Sequence, residues 1–278
     1  MPLRIRRRSN VAVIEIHGVI GNHVKIPDFS RLIDSVAVNP RLKALLLDID
    51  SPGGSATGSE VLHRAIQRVA EDKPVYAYVR GLGASGGYYL ACAADKVYAL
   101  PTAMVGSIGV IYLRPVIEQL LSKVGVEFSV YKSGEFKDMT GFWRSPTDRE
   151  SVKFQELIDE IFDNFVKVVA HGRSLEEVAV REIATGEMMT AQRGIGAGLV
   201  DVIGDFKDAL EAAAEAGGCK PTPRFIRPGR SLGQRIFSRT AMGQQSGGQA
   251  LLEGLGRMMA GGIYYLEPGH IAGGDFST

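Results

Sequence analysis

Ten consecutive residues, Arg80-Gly81-Leu82-Gly83-Ala84-Ser85-Gly86-Gly87-Tyr88-Tyr89, follow a run that reads as a strand and open one that reads as a helix. Three chemistries fit this turn. Gly81, Gly83 and Gly86 satisfy G-x-G-x-x-G, which cradles a dinucleotide pyrophosphate and needs an acidic residue closing the next strand. The next strand, Lys96 to Leu100, instead meets Pro101. Gly83, Ser85 and Gly87 satisfy G-x-S-x-G, which presents a serine nucleophile and needs an acid and then a histidine downstream. Only His171 and His270 follow Ser85, while His17, His23 and His63 precede it. In the third reading Ser85 is a nucleophile at a helix N-terminus with a lysine as its base. Gly86 then lets the backbone approach an oxyanion, with the unpaired N–H groups of the helix start pointing at it. A second loop, Ser51-Pro52-Gly53-Gly54-Ser55, ends an earlier strand and offers a further donor. Plain turn chemistry also accounts for both glycine-rich loops, and these readings stand together at this point.

The elements that must hold these loops alternate in the rhythm of βαβ units. Val11–Ile16 and Lys43–Ile49 read as strands, with a helix over Pro27–Val38 between them. A helix follows the Ser51–Gly54 turn, with Val61, Leu62, Ala65, Ile66 and Val69 on one face. Val75–Val79 is a strand and Ser85–Ala94 a helix, and further strands are expected near Val97, over Ile108–Tyr112 and over Glu127–Tyr131. Thr147–Ala170 is the longest helix, and its Phe154, Phe162 and Phe165 are expected to be packing residues. In a parallel sheet the strand ends carrying both loops lie on one side, so the loops can converge. The compact domain is expected over 1–218. From 219 to 278 prolines and then glycines dominate, which predicts a C-terminal extension or tail, helical over Leu251–Met259 and ordered in an assembly.

Composition narrows the classes further. The chain has 278 residues, 23% of them charged, and a net charge of +1, so no overall field attracts nucleic acid. Arg4, Arg6, Arg7 and Arg8 are read as a solvated leader. Two cysteines, Cys92 and Cys219, do not make a disulfide framework. No run approaches the roughly 18 apolar residues of a membrane span.

Five segments together carry a family resemblance. Asp50-Ser51-Pro52-Gly53-Gly54-Ser55, Ala84-Ser85-Gly86-Gly87-Tyr88-Tyr89 and Gly106-Ser107-Ile108-Gly109-Val110 resemble the signal peptide peptidase A family, as do Thr190-Ala191-Gln192 and Gly198-Leu199-Val200-Asp201. The match is collinear over about residues 10–212. It implies an α/β Clp protease/crotonase-like fold of repeated ββα and βαβ units, and a serine endopeptidase with a Ser/Lys dyad. By the resemblance Ser85 is the nucleophile. Lys137 in Lys132-Ser133-Gly134-Glu135-Phe136-Lys137-Asp138 is the general base, with Lys132 as its competitor. Ser107 orients the lysine, and the N–H groups of Gly54 and Gly86 form the oxyanion hole. No cofactor and no metal is implied.

A free lysine has a pKa near 10.4, so bringing a lysine base near 7 costs about 4.6 kcal/mol, which burial can supply. Phe136, Met139, Phe142 and Trp143 are the candidate apolar shell around Lys137, with Glu135 and Asp138 expected to turn away. The resemblance further implies apolar, membrane-associated peptides such as signal peptides as substrates, and a homo-oligomeric ring or dome in which the lysine can come from a neighbouring subunit. Localisation is expected to be cytoplasmic or peripheral to a membrane, the family's N-terminal anchor being absent or removed. Ile263-Tyr264-Tyr265-Leu266 is expected to lie in the substrate groove as an autoinhibitory segment. A crotonase-like acyl-CoA enzyme and a Ser/His α/β-hydrolase remain as alternatives.

Overall fold

The computed structural model describes residues 10–229 and 262–266. The arginine-rich leader and the helix expected over Leu251–Met259 lie outside these residues. Residues 10–110, 162–228 and 264–266 form one compact unit, and 111–161 with 229, 262 and 263 form a second.

The chain enters the first unit with β1 (Val11–His17), α1 (Ile26–Ala37) and β2 (Ala44–Ser51). Pro27 opens α1, where its missing N–H and fixed φ cost nothing. β2 is apolar almost without alternation, as a strand covered on both faces must be, and Leu45, Leu46 and Leu47 are fully buried. Truncating any of them to alanine would cost about 2–5 kcal/mol. After the short β3 (Gly53–Ser55) comes α2 (Ala56–Ala70), capped by the Ser55 hydroxyl, which accepts from the Gly58 amide at 3.1 Å. Next come β4 (Val75–Ala84), α3 (Gly86–Ala91), β5 (Lys96–Ala99) and β6 (Met104–Gly106).

The second unit begins with β7 (Ile111–Leu113) and α4 (Glu118–Lys123) and runs into α5 (Asp148–Arg173). From residue 162 onward the chain belongs again to the first unit, with α6 (Glu177–Ile183), β8 (Met188–Thr190), α7 (Ala191–Gly196) and β9 (Val202–Ile203). α8 (Phe206–Ala216) starts with a capping box between Asp205 and Asp208. β10 (Pro223–Phe225) and β11 (Gly262–Leu266) follow.

The sheet of the first unit runs β10-β1-β2-β4-β5-β9, all parallel, and β6 pairs with the far end of β4 and carries β8. Only the β6–β8 pair is antiparallel within it. α8 covers one face through Ala209, Leu210, Ala213 and Ala214, packed with Val11, Val13, Leu46, Tyr76 and Tyr98. On the same rows, Asp48 is fully buried and bonded to Arg80. Burial alone would raise its pKa, but hydrogen bonds from His17 and Arg80 more than offset this and hold it below the usual value.

Within 219–278 the described residues include two strands: β10 extends the sheet in register with β1 (Val11 to Pro223), and β11 lies against β3. One expectation differs from what is seen. No strand forms over Glu127–Tyr131. Val126, Phe128 and Val130 do alternate, but each is about half exposed, and a strand needs a neighbour to take its backbone hydrogen bonds. Among the described residues no helix is long and apolar enough to cross a membrane.

Candidate active site

The register of the sheet assembles the serine loops. β4 and β6 pair through Leu82–Met104, Gly83–Val105 and Ala84–Gly106, so Ser85 and Ser107 leave adjacent strand ends together. Ser85 turns sharply into α3 with φ +52° and ψ −117°, a conformation that a non-glycine residue holds only when its surroundings impose it. What imposes it is the bond from its amide to the Gly106 carbonyl, at 2.8 Å, together with the start of α3 immediately behind it. Ser107 is likewise at φ +49°, held by its amide on the Glu187 carbonyl at 2.9 Å. Both serines are buried, at 1% and 5% exposure.

The Ser51–Ser55 loop converges on the same point. A methyl placed on Gly87 would stand 2.7 Å from the Ser51 carbonyl oxygen, and one on Gly53 would stand 2.7 Å from the Gly86 nitrogen. Only residues without a side chain allow these backbones to approach so closely. Gly54, at φ +153°, lies on the Ile20 backbone, whose amide donates to the Gly53 carbonyl at 2.8 Å. Of the three amides in β3, that of Gly53 is taken by the Ser51 hydroxyl at 3.2 Å and that of Ser55 by the Ile20 carbonyl at 2.9 Å. Neither bond uses the Gly54 amide. Gly54, Gly86, Ser85 and Ser107 all belong to the first unit, with Gly53 against Gly86 and Ser107 on the strand end beside that of Ser85.

Sequence reasoning quoted Asp50, Ser51 and Tyr89 only within motifs and did not single out Ser59, Glu60 or Asn164, which brace these loops. Ser51 anchors its loop by donating to the Gly18 carbonyl at 2.7 Å, and Asp50 accepts from the Leu82 amide at 2.9 Å where β2 and β4 slip register. The Ser59 hydroxyl donates to the Ser55 carbonyl at 3.0 Å, beside Gly86. Tyr89 donates to Glu60 and accepts from the Asn164 amide nitrogen at 3.0 Å. His63 packs edge-on to Tyr89, and burial lowers its pKa to about 4. A serine one helical turn from Ser55, and a glutamate a turn from His63 and Arg64, were the available signals. Neither says anything until the helix is docked.

Lys137 lies in the second unit, on the turns between Ser133 and Gly141, and is exposed. The apolar shell expected around it is not there. Phe128, Phe142 and Trp143 stack on one another instead, with ring centroids 5.3–6.0 Å apart. Both neighbouring carboxylates turn to other cations, as expected. Asp138 pairs with Lys132 and with Arg144, and Glu135 pairs with Arg149 at 2.7 Å. Hydrogen bonds from Arg144 and then Lys132 hold Asp138 at about 2. Arg144 also forks onto Glu150 and holds it at about 2. Lys132 thus spends its amine on Asp138 and on the Glu135 carbonyl, 2.8 Å away. Among the described residues no salt bridge engages Lys137.

His171 is exposed in the last turn of α5, and His270 lies outside the described residues. No group of three or more histidine, cysteine, aspartate or glutamate side chains that could hold a metal occurs among the described residues.

A mostly parallel sheet with a buried serine at a strained strand-to-helix turn, flanked by closely packed glycines, has the form of a Clp-like serine peptidase. The sequence profile of Peptidase family S49 matches residues 67–220, and the chain belongs to that family. It is 36% identical to "Putative protease slr0021" of Synechocystis sp. over 79% of each chain. It is 33% identical to "Putative signal peptide peptidase SppA" of Enterococcus faecium, over 73% of this chain and 62% of that protein. In three dimensions it resembles the 1510-N membrane-bound stomatin-specific protease, with a TM-score of 0.51 and 18% identity over 80% of this chain and 99% of the other. The Clp protease-like fold expected from the motifs is the fold observed, and the protein is a serine peptidase. The acyl-CoA and α/β-hydrolase alternatives fall with that membership.

Proposed function

We propose that this peptidase is an endopeptidase in which Ser85 and Lys137 form a Ser/Lys dyad, acting on signal peptides or other apolar, membrane-associated peptides. The observation that carries the reading is Ser85 itself, forced to φ +52° with Gly86 behind it and Gly53 packed against the Gly86 nitrogen. The neutral Lys137 amine takes the proton of the Ser85 hydroxyl as its oxygen attacks the substrate carbonyl carbon. The Gly54 and Gly86 amides receive the oxyanion, a contribution worth about 10²–10³ per donor in comparable sites. Collapse of the intermediate breaks the C–N bond, and Lys137 returns its proton to the leaving amine. Water, deprotonated by the same lysine, then hydrolyses the acyl-enzyme and restores Ser85. Ser107 holds the lysine amine in position.

Lys137 is preferred over Lys132 because Lys132 is already engaged by Asp138. The family resemblance and the similarity to a protein named for signal peptides support the substrate class. The exposed side chains of Leu113, Leu120, Val124, Phe128 and Tyr131 support assembly with further copies of the chain, which would cover them and dehydrate a lysine that is exposed in the single chain.

The test is hydrolysis of a mixed apolar peptide pool, read by mass spectrometry. Ser85→Ala should abolish cleavage, Lys137→Ala should reduce it several-hundredfold or more, and Lys132→Ala should change it less than tenfold. Survival of cleavage in Lys137→Ala would remove Lys137 from the dyad.

A further inference from the structure

Lys137 stands on a stretch of turns with neither helix nor strand, so no regular element fixes the path of its backbone. Side chains fix it instead. On one side Lys132 and Arg144 hold the Asp138 carboxylate. On the other, Arg114, the residue after β7, donates from Nη1 to the Met139 carbonyl at 2.8 Å and to the Gly141 carbonyl at 2.7 Å. Nη1 carries two hydrogens, and each has its own carbonyl. One nitrogen bonded to carbonyls two residues apart closes that part of the turn onto a single point, and Lys137 lies two residues before the first of them. The Ile117 amide ties the next carbonyl, that of Phe142, at 3.0 Å. Gly141 is enclosed from the far side as well, since a methyl there would stand 2.6 Å from the Trp143 ring. All these residues belong to the second unit, so the clamp is internal to the unit that carries Lys137.

Arg114 does nothing else. Among the described residues no carboxylate pairs with it, and its Nη2 is buried without a hydrogen bond. A buried donor left unpaired opposes folding, and a methionine would keep the packing of the stem without that penalty. Stability alone does not call for an arginine here. The two loop carbonyls do, and they matter most if the loop has a position to keep. A proton acceptor misplaced by 1 Å can lose about 100-fold in rate.

We infer that Arg114 is a positioning residue for the general base: by holding the Met139 and Gly141 carbonyls on one guanidinium nitrogen, it fixes the loop from which Lys137 acts. This deepens the function proposed above and rests on it for Lys137 as the base.

The test is a double-mutant cycle in the full-length chain, comparing wild type, Arg114→Met, Lys137→Ala and the double variant. The substrate is a peptide p-nitrophenyl ester, whose leaving group needs no proton, so that the Lys137→Ala rate stays measurable. Arg114→Met should lower kcat about 30-fold or more with KM within about twofold of wild type. In the Lys137→Ala background it should cost less than about threefold, because the lysine through which it acts is gone. Arg114→Lys, whose ammonium can still donate to both carbonyls, should recover about tenfold of the loss. If Arg114→Met melts well below wild type, Arg114→Gln, which keeps one donor, takes its place in the cycle. Equal losses in the two backgrounds, a rise in KM with kcat unchanged, or no loss in Arg114→Met while Lys137→Ala is impaired would each overturn the positioning role and leave the dyad standing. Wild-type activity in Lys137→Ala would instead remove the dyad, and the role of Arg114 with it.

Discussion

Ser85 and Ser107 each stand one residue beyond the paired Ala84 and Gly106, and both hold positive φ, +52° and +49°. The pairing makes them neighbours although 22 positions separate them in the chain. Their amides are committed to the Gly106 and Glu187 carbonyls, so their main chain is fixed. A strained serine at the end of a strand is costly unless it is used, by about 1–3 kcal/mol.

Ser107→Ala should therefore lower kcat without changing KM, by about 10- to 100-fold, and leave the melting temperature within a few degrees of wild type. A residue that orients a base acts on the chemical step and not on substrate binding. Steady-state kinetics on a single defined peptide measures the split. A rise in KM with kcat unchanged would place Ser107 in binding instead.

Gly54→Ala and Gly86→Ala should separate sharply in stability. A methyl on Gly54 would meet the Ile20 carbonyl oxygen at 2.1 Å and its nitrogen at 2.6 Å, both backbone atoms of a residue bridged to Gly54 itself, at a φ of +153°. A methyl on Gly86 meets first the Ser59 hydroxyl at 2.5 Å, the end of a side chain that can rotate away. Urea unfolding should show Gly54→Ala losing about 3 kcal/mol or more and Gly86→Ala much less. Ser59→Gly should recover part of the Gly86→Ala loss. Equal losses would mean that β3 yields more easily than its contacts indicate.

His63 should make the first unit acid-sensitive. Burial lowers its folded pKa from 6.5 to about 4, so between those values the unfolded chain binds a proton that the folded chain does not. Stability then rises with pH across the window from about 4 to 6.5 and is flat above it. The total change is about 3 kcal/mol. His63→Phe keeps a ring against Tyr89 and should remove this slope. Chemical denaturation at pH 4.5, 5.5, 6.5 and 7.5 measures it, and an unchanged slope in the variant would assign the sensitivity elsewhere.

Arg144 should hold the segment that carries Lys137. It bridges Asp138 and Glu150, and Glu150 is only 4% exposed. Arg144→Met leaves Glu150 buried without its cation, and should cost about 3 kcal/mol. Hydrogen bonds from Arg144 hold Glu150 at about 2, below its ordinary 4.5. Its contribution is therefore complete above pH 4.5 and is lost as pH falls from there toward 2. Limited proteolysis between 132 and 147 should be faster in the variant at neutral pH, and wild-type protein at pH 3 should show the same cuts.

Much of the fold was legible in the chain. The apolar run Ala44–Leu47 within β2 predicted a strand, and the apolar stripe of α2 predicted a helix with one buried face, because burial is written in residue spacing. The serine turn was legible too, since Gly87 sits where a side chain would meet the Ser51 carbonyl oxygen. The strand expected over Glu127–Tyr131 was misread because alternation records only which side chains want cover. A strand also needs a partner for its backbone, and that partner is not a local property.

The residue types at the serine loops, their order and the membership of a serine peptidase family were thus determined by the sequence alone. Tertiary structure decided what stands beside Ser85: Ser107 through the β4–β6 register and the Ser51–Ser55 loop through glycine contacts. Local propensity acts over a few residues, whereas Glu60, Tyr89 and Asn164 meet only after helices far apart in the chain have packed. Their hydrogen-bonded chain has no signature in any single segment, because each member is an ordinary helix residue until the others arrive.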